Sequence, residues 1–161
     1  MITLVTTGLL VAQSVHAIAE YVDELVVSVD GPPELHDRIR RVRGGFDRIE
    51  HGLRLLTNYA ARPKVIARSV VQRTNHARLA QTVQAVRGIG VDRLSFLAAD
   101  VSSSAFNRPE PWSEDRRGEV ALSSDQLMTL AAAIGDVEER CREPLAHGFI
   151  VGGVASLWRI H

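Results

Sequence analysis

Short β-branched apolar runs alternate with longer segments whose apolar residues recur at helical spacing, and no other feature constrains the fold as strongly. Four such runs, at residues 2–6, 24–29, 64–71 and 91–97, predict β-strands. Between the second and third runs, one helix face is marked by Phe46, Ile49, Leu53 and Leu56. Strand–helix units of about 25 to 35 residues are typical of parallel α/β proteins. The sequence therefore predicts an α/β fold built from parallel βα units.

Two architectures contain such units, an open doubly wound sheet and a slice of a βα-barrel, and periodicity alone does not choose between them. The run 24–29 is almost continuously apolar, which is typical of a parallel strand covered on both faces. Four strands are too few to close a barrel, so both ends of the sheet are expected to be bare edges. We expect a part of the barrel to be missing, and the chain to self-associate through these edges.

The composition of the 161-residue chain is that of one globular domain, with 45% hydrophobic and 24% charged residues. Its 19 basic and 19 acidic side chains cancel, which disfavours nucleic acid as a partner. No apolar stretch is long enough to span a membrane, and the first residues lack the basic region of a signal peptide. We therefore expect a cytoplasmic protein. Its single cysteine, Cys141, is predicted to lie mid-helix as a structural thiol, and it allows neither a disulfide nor a thiolate metal site within the chain.

Polar and small residues follow each predicted strand, where parallel α/β proteins bind their ligands. They occur at 6–8, 28–31, 72–75 and 100–104. In the second group, Asp30 can accept hydrogen bonds from a ribose or an ammonium group, whereas Ser28 and Arg40 can donate to a carboxylate. The alternative is a plain turn at Asp30, with His36 on the surface and Arg40 solvated.

Other local signals concern helix starts and one long loop. Asn75 is predicted to cap a helix, and Ser123 with Gln126 forms a capping box before another. The polar loop at 98–118 is a candidate substrate-facing element through Phe106, Asn107, Arg108 and Trp112. The alternative is that its two aromatic residues only cover the barrel rim. Residues 144–161 are predicted to form a loop and a short helix.

Residues 28–40, Ser-Val-Asp-Gly-Pro-Pro-Glu-Leu-His-Asp-Arg-Ile-Arg, followed by Gly45-Phe46, resemble the middle of radical S-adenosylmethionine (SAM) enzymes. The likeness is greatest to the branch with a C-terminal auxiliary-cluster domain of the SPASM type. Thr-Thr-Gly-Leu-Leu at 6–10 resembles the Thr-Asn-Gly-Leu-Leu of that family, with Thr7 in place of Asn. The segments 72–75 and 90–96 follow in the expected order, so the resemblance covers roughly residues 2–104.

The resemblance implies that residues 1–104 form part of a radical SAM partial TIM barrel, about four of its six strands. Residues 105–161 would then supply a substrate-side loop, a helix and the start of a connection to a missing C-terminal domain. Ser28 and Arg40 would bind the methionine end of SAM, chiefly its carboxylate. Asp30 would face SAM or the substrate at the same mouth, and Thr7 and Gly8 would line the cofactor cleft. The substrate would be a small molecule or a peptide.

The family cleaves SAM to a 5′-deoxyadenosyl radical at a [4Fe–4S] cluster held by a Cys-x-x-x-Cys-x-x-Cys loop. This sequence has neither that loop nor the family's Gly-Gly-Glu-Pro stretch, so the cluster ligands are absent from this chain. The resemblance therefore implies a fragment of a radical SAM enzyme, inactive alone. The alternative is a non-catalytic α/β binding or assembly domain that completes a barrel with another chain. An NAD-binding unit is disfavoured because no Gly-x-Gly-x-x-Gly follows a strand.

Overall fold

The structure is a computed structural model that describes residues 1–103 and 110–161. Its sheet has the order β1-β2-β3-β4 with all neighbours parallel, and its strands are β1 Thr3–Thr6, β2 Glu24–Ser28, β3 Lys64–Val71 and β4 Arg93–Ala98. All four predicted strands are confirmed. The helices are α1 Val15–Tyr21, α2 Pro33–Arg40, α3 Gly45–Leu56, α4 Leu79–Arg87, α5 Glu114–Val120, α6 Ser124–Arg140, α7 Arg142–Ala146 and α8 Gly153–Trp158. Short 3₁₀ turns are Val11–Ser14 and His76–Arg78.

Helices α1, α3, α4, α6 and α8 form a single apolar core with one face of the sheet. Side chains alternate along β3, where Val65, Ala67 and Val71 are buried in this core. The core also contains the predicted apolar face of α3, with Ile49 and Leu53 fully buried. This packing follows from the two periods, since a strand offers every second residue and a helix every third or fourth.

The opposite face of the sheet is called here the lumen face, and its residues in register are Thr3, Val5, Glu24, Val26, Ser28, Lys64, Ile66, Arg68, Val70, Arg93, Ser95 and Leu97. Val5 and Leu97 are 62% and 42% exposed, so this face is open towards its margins. Val26, at its centre, is buried, yet it does not belong to the core shared with the helices. A doubly wound sheet carries helices on both faces, whereas here they pack against one face only, so of the two predicted architectures the observation favours the barrel slice.

After α6 and α7 the chain returns to the outer side of β4. The Leu94 N–H donates to the Phe149 carbonyl at 2.8 Å, and the Val151 N–H donates to the Leu94 carbonyl at 2.8 Å. This bridge is parallel and centres on Ile150, which is buried. Segment 149–151 therefore lies where a barrel would place its next strand. The expectation of two bare edges is wrong at the start of β4, because this segment pairs there.

Two predicted details of the helices are also corrected. Helix α4 begins at Leu79, and Asn75 instead precedes a 3₁₀ turn and makes no side-chain cap there. Cys141 lies at the junction of α6 and α7 rather than mid-helix, and burial raises the pKa of its thiol. The capping box is confirmed, since the Ser123 N–H donates to Gln126 Oε1 at 3.1 Å.

The predicted substrate-facing residues Phe106, Asn107 and Arg108 lie outside the described residues. Trp112 is half-buried, and the Arg116 guanidinium lies 4.7 Å from the centre of its ring. Across the described ranges, no helix has the length and apolarity needed to cross a membrane.

Candidate functional site at the carboxyl edge of the sheet

Asp30 follows β2 directly and is only 2% exposed. Its Oδ2 accepts a hydrogen bond from Arg40 Nε at 2.6 Å, which also forms an ion pair. Its Oδ1 accepts from the Val70 N–H at 3.2 Å. A buried carboxylate needs such partners, because burial removes its hydration and nothing else would compensate for that loss. Asp30 thus joins the end of β2 to β3 and to the last turn of α2.

His36 is buried, so the alternative that placed it on the surface is wrong. Its Nδ1 lies 3.2 Å from the Asp30 backbone nitrogen and accepts that N–H, which puts the ring proton on Nε2. Burial lowers the pKa of His36 below its ordinary value, although the nearby Asp30 carboxylate acts in the opposite direction. The ring is therefore neutral, and it holds the backbone from which the Asp30 side chain extends.

Asn75 supports the same position from β3. Its Nδ2 donates to the Asp30 and Val70 carbonyls, both at 2.9 Å, and its Oδ1 accepts from the Gln72 N–H at 2.8 Å. All three bonds join backbone groups that the strand ladder leaves unpaired where the strands end. Asn75 thus clamps the carboxyl ends of β2 and β3 together.

Asp37, the neighbour of His36, has a different task. Its carboxylate accepts from the Gly44 N–H at 2.6 Å and from the Phe46 N–H at 2.9 Å, where α3 begins. A carboxylate at this end of a helix satisfies unpaired N–H groups and the helix dipole. Within the stretch His-Asp-x-x-Arg, His36 and Arg40 therefore hold Asp30 in place, whereas Asp37 stabilises the turn from α2 into α3.

Arg40 reaches solvent, with a side chain 30% exposed, whereas Asp30, His36 and Asn75 are buried. Asp30 holds its Nε, while within the described residues its two terminal nitrogens have no hydrogen-bond partner. A guanidinium fixed at Nε still presents terminal N–H groups, whose geometry suits a carboxylate. Ser28, half-buried, lies two residues before Asp30 on the lumen face.

Thr7 and Gly8 lie at the end of β1. Thr7 is exposed, whereas Gly8 is buried, with its N–H donating to Thr6 Oγ1 at 3.1 Å. Gly8 has φ of +84°, and a Cβ there would lie 2.9 Å from Ile49 Cγ1. Glycine is therefore required for backbone conformation and for close packing on α3. The roles of these two residues towards a cofactor stay predictions, as do those of Ser28, Asp30 and Arg40.

Solved structures of anSMEcpe, an anaerobic sulfatase-maturating radical SAM enzyme, resemble this chain. With bound AdoMet (S-adenosylmethionine) and Cp18Cys peptide, the TM-score is 0.65 at 17% identity, over 92% of this chain and 39% of that one. With bound AdoMet alone, the TM-score is 0.63 at 16% identity, over 93% of this chain and 40% of that one. The fold is that of a radical SAM partial barrel. No family model and no curated protein matches the sequence.

This chain thus spans 39% of the length of the first of these radical SAM structures, and at such identity the likeness establishes the fold. In this partial barrel, Gly8, Ser28 and Asp30 lie at the carboxyl ends of the neighbouring strands β1 and β2. Metal ligands are not found there: the described residues contain no group of three or more His, Cys, Asp or Glu able to hold a metal ion. Cys141 is buried beside α6 and α7.

Sequence reasoning missed the structural duties of His36, Asp37 and Asn75, and it missed Arg68 altogether. Arg68 lies on the lumen face of the sheet, in register with Ser28 and Ser95. The signal was present in the sequence, since a strand whose odd-numbered residues are buried places residue 68 on the opposite face.

Proposed function

We propose that this chain is part of a radical SAM protein and that Ser28 and Arg40 bind the carboxylate of SAM. One observation carries the proposal, namely that Asp30 anchors Arg40 through Nε at the carboxyl edge of a radical SAM barrel slice. The relative anSMEcpe, which has this fold, is known with bound AdoMet.

The residues present fit the carboxylate of SAM. Arg40 offers its terminal nitrogens, and Ser28 offers a hydroxyl donor from the neighbouring strand end. Asp30 is a positioning residue, because its bond to Nε restricts the guanidinium before any ligand arrives. Bound SAM supplies a methionyl and an adenosyl group, and this chain acts on it by binding and orienting it.

The residues present do not fit a [4Fe–4S] cluster, which needs cysteine thiolates. The only cysteine is buried, and burial keeps its thiol protonated by raising its pKa. The proposal therefore assigns the cluster, and with it radical formation, to residues outside this chain. A small-molecule or peptide substrate and a cytoplasmic location belong to the same proposal.

Affinity for SAM should be weak in this chain alone. Hydrogen bonds to a charged group contribute about 1.5–3 kcal/mol each, whereas association costs at least about 4 kcal/mol. These figures give a millimolar or weaker dissociation constant.

The proposal is tested by titrating the ¹⁵N-labelled chain with SAM and with decarboxylated SAM while its amide signals are followed by NMR. Arg40→Gln should weaken SAM binding about tenfold or more and leave binding of decarboxylated SAM unchanged. Arg38→Gln, an exposed site on the same helix, is the matched control and should change neither. Equal SAM affinity in Arg40→Gln and wild type would contradict the proposal.

The open lumen face favours a second candidate function, a domain that completes a barrel with another chain. Val5 and Leu97 expose apolar surface there, and β1 has no pairing strand on its outer side within the described residues. Sedimentation of the chain alone and mixed with a cysteine-bearing half-barrel would test this function. A complex that then binds iron would support it, whereas two separately sedimenting monomers would not.

A further inference from the structure

Arg68 lies in the middle of β3, with Ser28 on one side and Ser95 on the other. Neighbouring strands are about 4.8 Å apart, so two hydroxyl-bearing residues flank the arginine on the lumen face. Its side chain is half-buried, and within the described residues its Nε is shielded from solvent and has no hydrogen-bond partner. Arg68 is thus a half-buried cation in the middle of this face, whereas Lys64 and Arg93 on the same face are exposed.

Leaving such a group unpaired is unfavourable, and native structures seldom do so without a reason. The face itself does not require arginine, because the positions two residues before and after carry Ile66 and Val70. Across residues 1–103 and 110–161, the Arg68 guanidinium forms no ion pair with a carboxylate. The structure therefore holds a partly desolvated cation at a position where a ligand could neutralise it.

We propose that Arg68, supported by Ser95, binds an anionic group of the substrate, a carboxylate or a phosphate. A guanidinium recognises both through paired N–H donors, and a serine hydroxyl adds a third donor. The inference rests on the proposed function in one respect, that the substrate occupies the lumen of the barrel. In the proposed function Arg40, held by Asp30, binds the carboxylate of SAM, so Arg68 binds a second, different anion. Ser28 lies between the Arg40 site and the Arg68 site.

The test uses the ¹⁵N-labelled chain, titrated with acetate and with inorganic phosphate against sodium chloride at equal ionic strength. Two signals report on the site: the Arg68 Nε–H, which is shielded from water, and the Val29 amide, which donates to the Arg68 carbonyl at 3.0 Å. Wild type should show saturable shifts of both with at least one of the two anions. Arg68→Lys should weaken the response of the Val29 amide about tenfold or more.

Arg93→Lys is the matched control, since Arg93 lies at the amino end of β4 in register with Ile66 and is exposed. It should leave the titrations unchanged. Urea unfolding of Arg68→Lys checks that the variant is folded. If the variant does not fold, the wild-type titration still tests the inference.

The outcomes separate this inference from the proposed function. No saturable response to either anion in wild type overturns the inference, whatever SAM does at Arg40. A response that saturating SAM abolishes also overturns it, because Arg68 then binds the carboxylate of SAM. A response that persists in the presence of SAM supports it. If Arg40→Gln leaves SAM affinity unchanged, the proposed function is wrong, but the anion response at Arg68 still stands.

Discussion

The ion pair between Asp30 and Arg40 should contribute measurably to the stability of the fold. Its Nε–Oδ2 distance is 2.6 Å, and the two side chains are 2% and 30% exposed for Asp30 and Arg40. A hydrogen bond between charged groups contributes about 1.5–3 kcal/mol, and the exposure of Arg40 places the expected coupling near the lower limit, about 1.5 kcal/mol. Asp30→Asn alone should cost more, about 2–3 kcal/mol, because it leaves the arginine without its counter-charge.

A double-mutant cycle isolates this coupling. The free energy of unfolding is measured by urea titration for wild type, Asp30→Asn, Arg40→Gln and the double variant. The control cycle uses Glu50 and Arg54, an i,i+4 pair on α3 whose Arg54 side chain is 64% exposed. That pair should couple by only about 0.3–0.5 kcal/mol. A coupling between Asp30 and Arg40 no larger than the control would refute the view that Asp30 anchors the arginine.

Three further predictions concern single residues. Gly8→Ala should lower the free energy of unfolding by about 2 kcal/mol or more, because Gly8 has a positive φ and a Cβ there would press against α3. Gly118→Ala, where an added Cβ contacts nothing, is the control, and equal urea midpoints for the two variants would contradict this prediction. His36 has a lowered pKa in the fold, so wild type should lose stability as pH falls below 6.5, where only the unfolded state takes up the proton. His36→Gln should lack that slope, and parallel pH profiles of urea unfolding would show the reasoning to be wrong. Burial alone would raise the pKa of Asp92, but hydrogen bonds from Arg62 and from a β3 amide lower it. Asp92→Asn should therefore lower the free energy of unfolding by about 1 kcal/mol above pH 3.8, and this difference from wild type should disappear as pH falls below 3.8. Urea unfolding of both proteins across this pH range measures the difference, and a difference independent of pH would contradict the reasoning.

The strands could be predicted because their signal is local. Runs such as 24–29 and 64–71 are apolar enough to require burial, and their lengths match strands rather than helices. The helix at Phe46 and the capping box at Ser123 follow from equally local patterns. Asn75 was misread because an asparagine before an apolar helix has the same local pattern whether it caps the helix or clamps two strands.

The candidate site was only partly accessible from the sequence. The stretch 28–40 marked Asp30 and Arg40 as binding residues through its resemblance to a family, and the fold of that family is confirmed. Their bond to each other joins residues ten positions apart across a turn, and no periodicity encodes it. The binding roles themselves remain predictions.

The sequence by itself determined the parallel βα units, the positions of the four strands and the edge at which polar residues gather, because each depends on alternation within one short segment. Only the tertiary structure decided that the helices cover one face of the sheet, that segment 149–151 pairs beside β4, and that Arg68 points away from the helices into the lumen. These facts depend on contacts between segments far apart in the chain. Such contacts are set by which surfaces can be buried together, a property that no single segment carries.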